Sequence, residues 1–267
     1  LCRRPEPAGH CVKLLVDLGN TRVKWAWLDG GALLTPGDLA HEGLAGRALV
    51  ERMAGGGNPG EVRVASVAAP ERSRDLCLAL EAAFRVPVRL ARVGRAAAGV
   101  QCAYREPAQL GVDRWLAMVA AHHLYPRSAA CVVDAGTAWT IDVVQADGLH
   151  LGGLIVPGPR MMRDALLDAT GGIASSVRLM AEPTGHAAAW GRDTEACIRL
   201  GSWRAGVALV ESCMAALSGH REAPVLVVSG GDAPGLMSML PGPADHRPQL
   251  VLEGLALPGV ATADWRP

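Results

Sequence analysis

The first signal along the chain is an almost unbroken apolar run, Val12 to Leu18, rich in aliphatic and β-branched residues, leading into Asp17-Leu18-Gly19-Asn20-Thr21. A run of that length predicts a buried strand followed by a tight turn. A second strand is expected at Arg22 to Leu28, and after Gly30-Gly31 a short third one at Ala32 to Leu34. Segments with helical spacing at about 38–54 and 71–84 flank a strand at Glu61 to Ser66, and Val86 to Leu90 reads as another strand. The predicted order is three strands joined by hairpins, then helix, strand and helix.

The same plan returns in the second half. Ala130 to Val133 is an apolar strand leading into Asp134-Ala135-Gly136-Thr137, Trp139 to Val144 is the return strand, and Leu149 to Val156 follows the Asp147-Gly148 turn. LLVDLGNTRVKWAWLDGGAL therefore aligns with CVVDAGTAWTIDVVQADGLHL, with Asp17 over Asp134 and Gly19 over Gly136. Helices near 159–168 and 192–218, the strand Pro224 to Ser229 and the turn Gly230-Gly231 complete the second copy. The repeat predicts a duplication into two α/β lobes with a cleft between them, residues 1–126 and 127–267, divided near Pro126 to Ala129. One continuous α/β domain with similar patterns arising by chance is the simpler alternative.

Composition narrows the function. The 267 residues suit two lobes rather than one core, and half of them are hydrophobic, which excludes a disordered chain. With seven Trp, two Tyr and one Phe, the core must be filled mainly by Ala, Val and Leu. The 26 basic residues balance 26 acidic ones, unlike the one-signed field of a nucleic-acid or membrane-surface binder. Small-molecule chemistry is favoured. The seven cysteines are spaced for neither a zinc site nor a disulfide framework, the stretch Leu1 to Lys13 lacks the apolar core of a signal peptide, and no later run has the length of a membrane span. The cytoplasm is the expected compartment. Lys13 and Lys24 are the only lysines, which makes any lysine notable.

Asp17-Leu18-Gly19-Asn20-Thr21-Arg22-Val23-Lys24 has the chemistry of an anion cradle. A strand that turns through Gly-Asn-Thr offers backbone N–H groups at a glycine where a phosphate can come close. Asp17 suits a magnesium ion held through water, since Mg²⁺ takes one or two carboxylates plus phosphate oxygens. Lys24 suits charge neutralisation. The same residues also fit an Asx-type hairpin turn with no ligand. The second copy, from Asp134 to Thr140, strengthens the nucleotide reading, because a nucleotide closed between two lobes needs phosphate contacts from both. Val225 to Ser229 followed by Gly230-Gly231-Asp232 offers a further close backbone approach, where an adenine or ribose could rest.

Tyr104 and then Gly111-Val112-Asp113-Arg114 precede a predicted helix, Trp115 to Leu124. An Asp in a helix's first turn ordinarily complements the dipole. Beside an Arg it also suits phosphorylation of an alcohol on an acidic molecule, the carboxylate accepting a hydroxyl proton and the guanidinium binding a substrate carboxylate. His122-His123, late in that helix, reads as a cap of its negative end. Gly152 to Gly158 shapes a pocket wall or a strand-to-helix turn, and the Trp residues read as packing.

DLGNTRVK, Tyr104 followed by GVDRW, DAGTAWTID, GGLIVPGP, GRDTEACIRLG, SGGD and LVLEGLA stand in one order over about Leu14 to Ala256. In this the chain resembles the type III pantothenate kinases, relatives of sugar kinases, actin and the heat-shock ATPases. The resemblance implies an α/β, duplicated actin-like (ribonuclease H-like) fold of two lobes with a central interlobe cleft. It implies ATP-dependent phosphorylation of pantothenate to 4′-phosphopantothenate, the first step of coenzyme A synthesis. By residue, it implies that Asp17, Leu18, Gly19, Asn20, Thr21, Arg22, Val23 and Lys24 bind ATP phosphates and Mg²⁺, and that Thr137 contacts ATP. Asp134 would help hold a monovalent cation, K⁺ or NH₄⁺. Asp113 would be the general base, with Tyr104, Gly111, Val112, Arg114 and Thr194 contacting pantothenate. It also implies a homodimer, with no nucleic-acid or membrane partner. Two departures stand out: Leu1 to His10 precede the point where the family normally begins, and Asp193 stands where an Asn is common. The competing readings are a related sugar kinase or polyphosphate phosphatase and an accessory factor for transcription. The substrate carboxylate that Arg114 suits, the zero net charge and the lack of a helix-turn-helix speak against them.

Overall fold

Strand β1 (Lys13–Leu18) buries Leu14, Val16 and Leu18 on one face and Leu15 on the other, all with no exposed surface, which is why Leu14-Leu15-Val16 is apolar at every position. In this computed structural model, residues 12–170, 190–217 and 223–266 are described, so Leu1 to His10 lie outside them. β2 (Arg22–Asp29) pairs antiparallel with β1, and β4 (Glu61–Ser66) pairs with it parallel on the other side. β3 (Ala32–Ala40) pairs antiparallel with β2, and β5 (Val88–Ala91) parallel with β4.

β3 corrects the sequence reading, which ended it at Leu34 and began a helix near 38. The β2–β3 ladder steps over a bulge between Trp25 and Trp27, Thr35 takes a φ of 43°, and pairing resumes from Gly37 to Ala40. Gly37 is required there, since a Cβ would lie 2.1 Å from the Trp25 indole. Helix α1 (Gly46–Met53) begins only at Gly46, whose bare Cα sits against the backbone of Asp75 in α2 (Pro70–Phe84). The core of this sheet is Leu14, Val16, Leu18, Val62, Val64, Leu49 and Leu76, with Trp27 edge-on to Phe84.

Short strands β6 (Ala96–Ala97) and β7 (Val100–Gln101) lead to α3 (Val112–Leu124), then β8 (Ala130–Ala135), β9 (Ala138–Val144) and β10 (His150–Pro157). Helices α4 (Pro159–Ala169) and α5 (Thr194–Ala216) come next, followed by β11 (Val225–Ser229), α6 (Ala233–Met239), β12 (Asp245–His246), α7 (Leu250–Ala256) and β13 (Thr262–Asp264). The second sheet runs β10-β9-β8-β11-β12 and the first β3-β2-β1-β4-β5, extended at its edge by β13. Strand for strand the order is the same, antiparallel across the first three and parallel across the rest. The duplicated motif in the sequence is a duplicated ribonuclease H-like sheet.

The two compact units are not the two halves of the chain. One comprises the residues up to Ala98, Glu106–Ala120 and those from Val251 onward, and the other Gly99–Arg105 with Ala121–Leu250. A single division near Pro126 to Ala129 does not describe this arrangement, because β13 returns to pair antiparallel with β5. α7 returns as well: a Cβ on Gly254 would lie 2.1 Å from the Leu116 carbonyl of α3.

In the second unit Trp139 and Trp203 meet edge-to-face, 5.7 Å apart, over Val133, Ile141 and Val228. These indoles are core, as the sequence suggests. Among the described residues no helix is long and apolar enough to cross a membrane.

Candidate active site

The first glycine turn joins β1 to β2. Their register sets Asp17 opposite Lys24 and Leu18 opposite Val23, so carboxylate and ammonium side chains lie on one face of the sheet at its end. Leu18 and Val23 are wholly buried, which leaves only their backbone to serve the turn. The turn is closed by Gly19 N–H donating to the Arg22 carbonyl at 3.0 Å, while Val67 N–H donates to the Leu18 carbonyl at 3.1 Å. Asn20 and Thr21 are exposed. The Arg22 guanidinium leans away to donate to Asp38 at 2.6 Å on the surface.

The second turn has more around it. Asp134 lies opposite Thr140 across β8 and β9, and Ser229 Oγ donates to Asp134 Oδ1 at 3.2 Å. Gly230 takes a φ of 94°, and a Cβ there would lie 2.3 Å from the Ala135 carbonyl and 2.6 Å from Asp134 Oδ1. Asp232 N–H donates to the Ala135 carbonyl at 2.8 Å. Gly158 closes the other side, its N–H donating to the Thr137 carbonyl at 3.0 Å, with no room for a Cβ against the carbonyls of Gly136 and Thr137. Three separate motifs, DAGT, the end of GGLIVPG and SGGD, thus converge within one unit. The buried Asp232 carboxylate accepts from Trp139 Nε1 at 3.2 Å and from the Arg160 guanidinium at 3.3 Å.

Asp113 stands in the first turn of α3, where the dipole favours a carboxylate. Its Oδ1 accepts from Arg114 N–H at 2.7 Å. A Cβ on Gly111 would lie 2.5 Å from that oxygen, so the position before the helix admits only glycine in this arrangement. Val112 and Arg114 are buried, and burial strengthens any hydrogen bond the guanidinium makes.

Tyr104 stacks on His150, and His150 is linked to Asp142, both of the latter being buried. Thr194 is exposed at the first position of α5. Asp193, the departure from the family's Asn, is the N-cap of that helix and accepts from Ala196 N–H at 2.7 Å. Of the expected site residues, Asp17 to Lys24 and Gly111 to Arg114 belong to the first unit, and Tyr104, Asp134, Thr137 and Thr194 to the second.

Sequence reading passed over His41, Arg72, Asp142 and His150. Asp142 carried a usable signal, a carboxylate inside the apolar run of β9, since a buried charge has to be paired. The others had none, because their partners are distant in sequence.

The sequence profile of the type III pantothenate kinases matches residues 13–231. The chain belongs to the type III pantothenate kinase family. The type III pantothenate kinase of Halorhodospira halophila is 41% identical over 254 residues, covering 91% of this chain and 96% of that one. Among solved structures, a Campylobacter jejuni protein provisionally described as a Baf-family transcriptional activator superposes with a TM-score of 0.54 at 21% identity, covering 91% and 94% of the two chains. The activator of 2-hydroxyisocaproyl-CoA dehydratase from Clostridium difficile, with ADPNP bound, gives 0.50 at 12%, covering 92% and 91%. At these identities the structural likeness speaks for the fold, a duplicated actin-like α/β architecture. Family membership supplies the activity. The chain is an ATP-dependent phosphotransferase acting on the alcohol group of pantothenate, at the first step of coenzyme A synthesis, with a divalent metal accompanying ATP.

Proposed function

We propose that the glycine turn from Asp17 to Lys24 binds the phosphates of ATP and that Thr137, on the matching turn of the second unit, contacts the same nucleotide. The observation that carries this reading is the repeated register, one Asp-ended strand and one glycine turn at the same place in each sheet. Asp17 fits Mg²⁺, as one half-buried carboxylate beside a phosphate-accepting turn is the ligand set that Mg²⁺ takes from a protein. The ion, when bound, neutralises charge on the phosphates. Lys24, opposite Asp17, does the same for the transferring group.

Asp113 is the base and orienting group for the primary hydroxyl, Arg114 meets the carboxylate of pantothenate, and Tyr104, Gly111, Val112 and Thr194 shape the rest of its site. Transfer is in line, and a loose transition state leaves the hydroxyl proton in place until late, so orientation is the larger service of Asp113. Turnover of ATP with pantothenate, set against a panel of sugars, tests the assignment. Preference for a sugar would overturn the role of Arg114.

Asp134 is proposed to help hold K⁺ or NH₄⁺. Its carboxylate, the Ser229 hydroxyl and the neighbouring backbone carbonyls are hard oxygen donors, as such a cation requires. Activity is expected to rise when potassium replaces a bulky organic cation at constant ionic strength, and no response would remove the site. A homodimer is proposed too, supported by exposed Leu151, Leu154 and Ile155 on edge strand β10 and Met161 and Leu166 on α4. The cytoplasm is the proposed compartment.

A further inference from the structure

His41, the residue after β3, holds two carbonyls of the first glycine turn at once. Its Nε2 lies 2.9 Å from the Gly19 carbonyl oxygen, and its backbone N–H donates to the Thr21 carbonyl at 3.2 Å. The residue is 6% exposed. On its far side Arg72, in the first turn of α2, donates a guanidinium N–H to Nδ1 at 3.2 Å and another hydrogen bond to the His41 carbonyl. A guanidinium only donates, so Nδ1 is the acceptor and Nε2 carries the proton. The ring is therefore a fixed donor aimed at the turn.

The consequence follows from the planarity of the peptide. In a trans peptide the C=O and the next N–H point in opposite directions, so drawing the Gly19 carbonyl toward His41 turns the Asn20 N–H away from it. The carbonyls of Leu18 and Arg22 are occupied by Val67 N–H and Gly19 N–H. Four carbonyls that would repel a phosphate if they swung outward are thus held within the protein. A phosphate site made of backbone amides depends on this, because the same turn with one peptide flipped presents an oxygen instead of a donor.

We infer that His41 is a positioning residue for the phosphate-binding turn, aiming the Asn20 amide at ATP, and that Arg72 sets its tautomer. The inference rests on the reading that the turn from Asp17 to Lys24 binds ATP phosphates.

His41→Gln and His41→Asn separate positioning from packing. A Gln amide reaches as far as Nε2 and can still donate to the Gly19 carbonyl, whereas an Asn amide reaches only as far as Nδ1. The expected result is that His41→Asn raises the KM for ATP about tenfold and leaves the KM for pantothenate within about twofold, while His41→Gln restores most of the loss. Arg72→Met, which frees the tautomer, is expected to raise the KM for ATP in the same direction but less. Thermal unfolding of each variant and Lys24→Met are measured alongside. Equal ATP KM values for the Gln and Asn variants, or equal rises in both substrates' KM, would overturn the inference while a raised ATP KM in Lys24→Met keeps the phosphate reading. If Lys24→Met also leaves ATP binding unchanged, the phosphate reading is the one that fails. If His41→Asn does not fold, the inference stands or falls on Arg72→Met and His41→Gln, since an unchanged ATP KM in Arg72→Met would overturn it.

Discussion

Tyr104 lies flat on the ring of His150, the centroids 6.1 Å apart and the planes within 10° of parallel. His150 is fixed at both nitrogens, with Nε2 3.2 Å from Asp142 Oδ1 and Nδ1 accepting from Ala103 N–H at 3.4 Å. The bond to Ala103 makes Nε2–H the donor to Asp142 and ties the ring to the residue before Tyr104. His150→Ala removes both the platform and the tether. A stacked pair contributes about 0.5–1.5 kcal/mol, so the KM for pantothenate is expected to rise roughly two- to tenfold with the KM for ATP unmoved. Steady-state kinetics with each substrate varied in turn would show it, and parallel rises in both would remove Tyr104 from the acceptor site.

Asp113→Asn keeps an oxygen for the Arg114 N–H and so preserves the start of α3. What it loses is the charge proposed to orient the acceptor hydroxyl and take its proton. The turnover rate is expected to fall roughly 10²-fold or more, with ATP affinity nearly unchanged. A folded, fully active Asn variant would exclude Asp113 from the mechanism.

Much of this was legible in the sequence where one short segment decides its own structure. β4 runs from Glu61 to Ser66, as the alternation of its apolar residues predicts, and the Asp-Gly turns stand where the strands end. The misses are all cases where distant partners decide. Thr35-Pro36-Gly37 looks like a break, yet β3 continues through it because a bulge and the Trp25 indole accommodate the kink. The pairing of β13 with β5 leaves no local pattern in either segment. His41 and His150 are ordinary loop and strand residues until the fold brings them to Gly19, 22 positions away, and Ala103, 47 away. The family pattern marks the residues proposed to touch substrates, whereas these two contact the backbone beside them.

His122 lies in the last turn of α3, as its place in the sequence predicts, and is buried, with Nε2 3.0 Å from where a Cβ on Gly99 would stand and 3.3 Å from one on Gly148. Burial disfavours the imidazolium and pulls its pKa below the ordinary value, with Asp147 opposing the shift and His123 adding to it. The unfolded chain therefore takes up this proton first as pH falls below about 6.5. Stability is present above that pH and declines below it, by up to about 1.4 kcal/mol per pH unit, until the native ring titrates. His122→Leu is expected to flatten the fall in melting temperature over this window, measured against the unmodified chain in matched buffers. An unchanged slope would assign the acid sensitivity to other groups.

Thr194 tests whether a pocket is shared between subunits. It is exposed at the start of α5, and Asp193 fixes that helix end by accepting from Ala196 N–H at 2.7 Å. Thr194→Arg thus adds bulk and charge at one exposed point while the cap survives. The proposed homodimer offers a way for Thr194 of one subunit to reach the acceptor site of the other. Two inactive variants, Asp113→Asn and Thr194→Arg, are mixed under conditions where subunits exchange. In a mixed dimer with shared pockets, one pocket receives both substitutions and the other an intact Asp113 with an intact Thr194. Since half of the dimers formed from equal amounts are mixed and each has one sound pocket of two, about a quarter of the normal activity is expected to return. Pockets built from single chains would each carry one lesion, and mixing would restore nothing. Exchange verified by mass spectrometry without recovered activity would confine Thr194 to its own subunit's site, or exclude it from pantothenate binding.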